Sequence, residues 1–325
     1  MQNTLFQNRI DLSTLQQAVA AIKRELRKVL VGQDQMLELL LAALFANGHV
    51  LIEGVPGIAK TLTAKLLART LSVGFSRIQF TPDLMPSDVI GTSVFNPKTV
   101  EFTFNQGPIF SNFILIDEIN RAPAKTQSAL FEVMEERQVT VDGHTYLMQK
   151  PFLVIGTQNP IEQEGTYRLP EAQLDRFLFK IVISYPSLEE EAQILLQHHE
   201  RTHEIPLAAI EPVLSAEQIV ACQAVARSIK VEENLIRYIA ALTGKTRASG
   251  DIYLGASPRA SIAILTAAKA IAAMQGRDFL IPDDIKTVAI PALRHRIILT
   301  PEREMQGASP DDVLKEILAK LEIPR

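Results

Sequence analysis

The sequence predicts a doubly wound α/β domain on a five-stranded parallel sheet, followed by a smaller all-helical domain. Three observations carry this expectation. Short, continuous apolar runs recur at 49–53, 75–80, 112–117, 152–157 and 177–183, as strands do when helices cover both faces of a parallel sheet. The first run breaks at Gly54 into a glycine-bearing loop and resumes as a helix at Lys60 and Thr61, a strand–loop–helix unit of the kind that cradles phosphate. Beyond Tyr185 the strand signal largely disappears and apolar residues recur at helical spacing. The division falls at 1–185 for the α/β domain with its N-terminal helix, and at 186–325 for the helical one.

Taken in order, residues 11–30 place Leu15, Val19, Ile22, Leu26 and Val29 on one helical stripe, with Lys23, Arg24, Arg27 and Lys28 as a solvated face. Val31-Gly32-Gln33 interrupts this helix. Glycine there permits close approach of a flat ligand such as adenine, and an interhelical turn would look the same. The apolar window 36–46 contains Glu38 and is far shorter than the ~20 residues that span a bilayer, so it reads as a buried helix. Two hairpins interrupt the α/β rhythm, one at 93–104 around Asn96-Pro97 and one at 138–147 around Asp142-Gly143. They are expected as surface protrusions whose tips carry little apolar surface; either could be a contact or an elaborated edge. In the second domain Ile219, Cys222, Val225, Ala226 and Ile229 form one helical stripe and 261–274 another. Pro282-Asp-Asp opens a further helix with proline and acids at its positive end. Cys222 reads as core filler and His198-His199 as surface.

The bulk numbers exclude several classes. In 325 residues, 47% are hydrophobic and 22% charged, with a net charge of −4, an ordinary balance without a basic footprint for nucleic acid. One cysteine permits no intramolecular disulfide and no cysteine-based zinc site. With no secretory signal visible at the start, a cytoplasmic location is expected.

The chemistry gathers in the first domain. Gly54, Val55, Pro56, Gly57, Ile58, Ala59, Lys60, Thr61 and Leu62 form the phosphate loop and its helix start. Ala59 stands where a second glycine is usual, and a plain glycine turn is the alternative reading. The loop's N–H groups and the helix N-terminus would hold an anion. Lys60 would reach the β- and γ-phosphates of ATP, and the Thr61 hydroxyl would hold Mg²⁺. The run ending in Asp117-Glu118 closes a buried strand in two carboxylates, at the end of the sheet where ligands bind. Asp117 would bind Mg²⁺ through water, and Glu118 would take a proton from the attacking water. Asn159 ends the next strand and could orient that water. Arg176 precedes the fifth strand, where a guanidinium could neutralise phosphate charge. Arg259 sits just inside a helix start that Pro258 fixes.

This order of motifs resembles the AAA+ ATPases, and the wording of three segments resembles one branch, the MoxR family. They are Pro82-Asp-Leu-Met-Pro-Ser-Asp88, Asp117-Glu-Ile-Asn-Arg-Ala-Pro-Ala-Lys-Thr-Gln127, and 158–177 with its Gln-Asn-Pro-Ile-Glu-Gln-Glu-Gly-Thr and Leu-Pro-Glu-Ala-Gln-Leu-Asp-Arg-Phe runs. The resemblance covers roughly 30–300. It implies Walker A at 54–61, Walker B at Asp117 and Glu118, sensor 1 at Asn159 and an arginine finger at Arg176 serving a neighbouring subunit. It further implies sensor 2 at Arg259, also a nucleotide contact, and an adenine pocket at Val31, Gly32 and Gln33. The hairpins match the helix-2 insert and the pre-sensor hairpin, and Arg121 shares the family wording with a subunit contact as its role. The implied activity is ATP hydrolysis coupled to chaperone-like remodelling or maturation of protein complexes. The implied assembly is a ring, a hexamer in the first instance, with a von Willebrand factor A-domain protein as a possible client. A nucleic-acid motor and an ATP-gated scaffold with little turnover are the competing functions.

Overall fold

The computed structural model describes residues 10–55, 60–98, 100–159, 167, 169–200 and 210–324. Two helices lead, α1 (Ser13–Arg27) and α2 (Asp34–Phe45), followed by β1 (His49–Gly54), α3 (Lys60–Thr70), β2 (Phe75–Gln79) and the short α4 (Pro86–Ile90). The first hairpin, β3 (Gly91–Asn96) and β4 (Glu101–Gln106), precedes β5 (Phe113–Asp117) and α5 (Ala124–Glu136). The second, β6 (Gln138–Val141) and β7 (His144–Leu147), precedes β8 (Leu153–Gln158), α6 (Glu171–Leu174) and β9 (Phe177–Ile183). Then come α7 (Leu188–Glu200), α8 (Ala216–Arg227), α9 (Glu233–Ala248), β10 (Ile252–Leu254) and α10 (Pro258–Met274). The chain closes with α11 (Pro282–Leu293), β11 (Ile298–Leu299), α12 (Pro301–Met305) and α13 (Pro310–Lys320).

The five expected strands form one sheet in the order β2-β5-β8-β1-β9, every neighbouring pair parallel. Side chains alternate across it, as the two-residue period of a strand requires. Val50, Ile52, Phe113 and Leu115 join α1, α2 and α3 on one face. Leu51, Ile114, Ile116 and Val154 join α5 on the other. The helical stripe read for α1 is buried along its length. α2 is buried on nearly every side, because one side meets the sheet and the other meets the later helices α8 and α10. Gln223 of α8 donates from Nε2 to the Leu44 carbonyl at 2.8 Å, and one apolar core runs from the sheet into the lid. The lid carries a short β10–β11 ribbon that the helical reading lacked; its pairs, Ile252–Leu299 and Leu254–Ile298, are too short to show a strand period.

Both hairpins form, and they are joined. Phe104 of β4 stacks on Tyr146 of β7 at 4.6 Å between ring centroids, with Phe110 edge-on to both, and the Ser93 hydroxyl donates to the Asp142 carboxylate. The expectation of apolar-poor tips is corrected. Phe95 and Phe102 pair across the first hairpin at 5.3 Å, and they stand 47% and 73% exposed beside Val94 and Val100. Phe104 lies on the same face of the hairpin as Phe95 and Phe102. The second hairpin covers that face only near its base, where Phe104 is half-buried, and leaves the pair nearer the tip exposed.

Candidate active site

Three strands end side by side, β5 at Asp117, β8 at Gln158 and β1 at Gly54. Their carboxyl ends form the crevice in which open α/β sheets hold ligands. α3 begins here at Lys60, so the N–H groups of its first turn and its partial positive charge belong to the same crevice. The Lys60 ammonium donates to the Gly54 carbonyl at 2.6 Å. The Thr61 hydroxyl reaches Asp117 Oδ1 at 3.4 Å. Val55 and Leu62 are half-buried on either side of the loop; Pro56, Gly57, Ile58 and Ala59 lie outside the described residues.

The two carboxylates are held quite differently. Asp117 is buried, and the Thr157 hydroxyl donates to its Oδ1 at 3.2 Å while Arg77 Nε pairs with its Oδ2 at 2.6 Å. Glu118 follows in the left-handed region, φ 58°, a conformation that costs a non-glycine residue about 1–3 kcal/mol. Its N–H is accepted by the Thr157 hydroxyl at 3.1 Å. Its carboxylate accepts from Gln79 Nε2 at 2.8 Å and pairs with Arg121 Nε at 3.2 Å. Arg121 therefore lies on the Glu118 carboxylate of its own chain, where the sequence suggested a subunit contact. Asn159 follows the last residue of β8, half-buried, one strand over from Asp117. Gly32 takes φ 72°, and a Cβ there would lie 2.3 Å from Glu190 Cδ at the start of α7. Gln33 accepts from the Thr63 hydroxyl of α3 at 3.1 Å, which fastens the Val31-Gly32-Gln33 turn to the phosphate-loop helix.

Arg176 and Arg259 sit at the other end of the sheet. Arg176 directly precedes Phe177, which pairs with His49, the first residue of β1. Its Nη1 donates to the Phe131 carbonyl of α5. Arg259 pairs with Glu135 near the C-terminus of α5 at 3.2 Å. The neighbouring Met134 carbonyl is bonded to His49 Nε2 at 3.1 Å, and the Ser257 hydroxyl, two residues before Arg259, donates to Asp175 at 3.1 Å. Strand β1, at about 3.3 Å per residue, separates this edge from Lys60 by roughly 20 Å. Neither arginine lies at the nucleotide end of its own chain, so Arg259 makes no contact there within the chain.

The donor set fits an ion brought in with a nucleotide. Thr61 and Asp117 offer two hard oxygens at a helix N-terminus, and Mg²⁺ bound with phosphates takes one or two such ligands and keeps its waters. Among the described residues no cluster of three or more His, Cys, Asp or Glu could hold a metal by itself. Sequence reasoning missed Arg77, Gln79 and Thr157, which read as ordinary strand residues until β2, β5 and β8 are aligned.

A phosphate-loop helix beside a carboxylate-ended strand, with a helical lid packed on the sheet, defines an AAA-type ATPase module. The model of the ATPase family associated with various cellular activities (AAA) matches residues 49–179, and that of the AAA lid domain matches 244–317. Chaperone MoxR1 of Mycobacterium tuberculosis is 45% identical over 97% of this chain and 84% of its own. An uncharacterised protein of Bacillus subtilis, YeaC, is 47% identical over 92% of each chain. The crystal structure of a protein taken to be an ATPase, from Cytophaga hutchinsonii, superposes with a TM-score of 0.88 at 42% identity, over 96% of this chain and 97% of that one. The chain belongs to the MoxR family of AAA+ ATPases, and that membership implies nucleotide binding and suggests oligomeric assembly.

Proposed function

We propose that the chain hydrolyses ATP between copies of itself and couples turnover to remodelling of a protein client. The observation that carries this reading is the division of the ATPase parts between opposite edges of one sheet. Lys60, Thr61, Asp117, Glu118 and Asn159 gather at the carboxyl edge, and Arg176 and Arg259 gather at the amino edge. A complete site then needs the arginine edge of a second copy.

Mg²⁺, when bound, would supply neutralisation of phosphate charge. Thr61 and Asp117 would hold it, and Thr157 and Arg77 keep the Asp117 carboxylate oriented. Lys60 leaves the Gly54 carbonyl for the phosphates. Glu118, released from Gln79 and Arg121, accepts the proton of the attacking water, which Asn159 orients. The neighbour's Arg176 and Arg259 balance the developing charge. The chaperone reading rests on the relative named for that role in Mycobacterium tuberculosis and on the exposed Phe95–Phe102 pair, which offers a protein client apolar surface.

Glu118→Gln is expected to bind ATP within a few-fold of wild type and to hydrolyse it at least about a hundredfold more slowly, the scale of a lost general base. Lys60→Ala should instead weaken binding itself. Phosphate release and fluorescent-nucleotide titration separate the two, and undiminished turnover in Glu118→Gln would sink the mechanism. A wild type that binds ATP without release of phosphate would leave only a scaffold.

A further inference from the structure

Helix α7 is docked with its polar side inward. Glu190 packs on Gly32, and Glu190 and Gln197 are its half-buried residues. On the opposite side Leu188, Ala192, Leu195 and Leu196 recur at helical spacing, and all are exposed, the three leucines at 79%, 65% and 60%. A helix that serves only its own chain places such a stripe on the core, and a monomer seldom shows water so continuous an apolar face. Tyr185, just before the helix, adds a 71% exposed ring.

The position of the stripe indicates what covers it. β9 ends at Ile183 beside Gly54, so α7 starts at the nucleotide edge, over the Val31-Gly32-Gln33 turn. A second exposed apolar group flanks Arg259 at the other edge. Tyr253 is 77% exposed, Leu254 46%, and Ile262, one turn beyond Arg259 on α10, 64%. Among the described residues, one chain thus carries two exposed apolar surfaces, one beside the nucleotide end and one around an arginine that lies far from that end.

We infer that the Leu188–Leu195–Leu196 stripe of one copy seats the Tyr253–Leu254–Ile262 surface of the next. This rests on the reading that Arg176 and Arg259 act across a subunit boundary, and it names the surface that brings them there. The contact joins different patches on the two copies, so it is head-to-tail, and it closes into a ring if the rotation allows. Apolar burial supplies the attraction, and the arginines meet the nucleotide as a consequence of seating. The occupant is a second copy because the complementary patch, the exposed arginine and the separated catalytic parts all belong to this same chain.

The full chain carrying Leu188→Glu and Leu195→Glu tests this by sedimentation with a non-hydrolysable ATP analogue. Wild type should assemble, and the double variant should stay monomeric at concentrations at least about tenfold higher, the effect of losing one well-buried anchor. It should bind a fluorescent ATP analogue within twofold of wild type and melt at an unchanged temperature, since both positions face water in the single chain. A bismaleimide should join Leu195→Cys to Ile262→Cys in a mixture of the two single variants; native Cys222 is buried. Arg176→Ala, which keeps both apolar patches, should assemble normally and hydrolyse poorly. Assembly of the double variant at wild-type concentrations overturns the inference, as does a wild type that remains monomeric. A lowered melting temperature with assembly retained also overturns it, because the chain's own residues would then cover the stripe. Loss of assembly in the double variant, from a wild type that assembles without hydrolysing ATP, would instead uphold this interface and reject the proposed activity.

Discussion

At the residue scale, Thr157 joins the two carboxylates of the site: one hydroxyl accepts the Glu118 N–H and donates to Asp117. It therefore sets the relative placement of the proposed metal ligand and the proposed base, in a turn that already holds Glu118 at positive φ. Thr157→Val keeps the shape and removes both bonds, leaving a half-buried N–H without its acceptor, a loss of about 1–3 kcal/mol. We expect kcat to fall about tenfold while ATP affinity stays within threefold, and Thr157→Ser to restore both. A Val variant with unchanged kcat would show that the hydroxyl merely fills space. Lys60, Thr61, Asp117 and Glu118 were legible in the sequence because each sits inside a local pattern whose spacing has a chemical reason. Arg77, Gln79 and Thr157 were not. Their partners lie on other strands, and nothing in one strand's sequence states which strand pairs beside it.

At the element scale, the five strands were readable because each is a short apolar run, yet the order β2-β5-β8-β1-β9 is set by crossovers that periodicity does not encode. The hairpins were readable from turn chemistry, Asp142-Gly143 above all. Their union through Phe104, Phe110 and Tyr146 was not, and neither was the exposed pair Phe95–Phe102, because alternation does not say how far along a strand one face will find a cover. The joined hairpins lie outside the Lys60–Glu118–Asn159 group, so shortening the first should spare basal chemistry. Replacing Asn96-Pro97-Lys98 by a short glycine linker, or Phe95 and Phe102 by serine, is expected to leave ATPase activity within severalfold and to abolish client remodelling. Crosslinking from position 98 reads the partner directly. Adducts with DNA alone, formed only with ATP, would replace the chaperone reading with a nucleic-acid motor.

At the scale of the whole molecule, two buried histidines fasten the amino edge of the sheet to what packs around it, and burial opposes a proton on either ring. His49 accepts the Val154 N–H on Nδ1 at 3.0 Å and donates from Nε2 to the Met134 carbonyl at 3.1 Å, tying β1 and β8 to α5. Burial, with the Arg137 charge as a smaller cause, pushes its pKa down to about 3. His295 is bonded through Nε2 to the Phe177 carbonyl at 3.0 Å, beside Arg296, which donates to Asp175 at 2.5 Å and to the carbonyls of Phe177 and Leu178. These bonds hold the lid to the start of β9. Burial first, then the Arg296 charge, places the His295 pKa well below its ordinary value. Unfolded histidine titrates near 6.5, so between that pH and the folded values the unfolded chain binds more protons than the folded one. Stability is then fully present above about pH 6.5 and is lost as pH falls below it, at up to about 1.4 kcal/mol per pH unit for each histidine. Urea unfolding should give a midpoint that is flat above pH 7 and falls steadily from 6.5 to 5. His295→Gln should reduce that slope by about one proton's worth. A midpoint that holds constant down to pH 5 would mean that both imidazoles are protonated in the fold, and the fastening described here would have to be redrawn with charged rings.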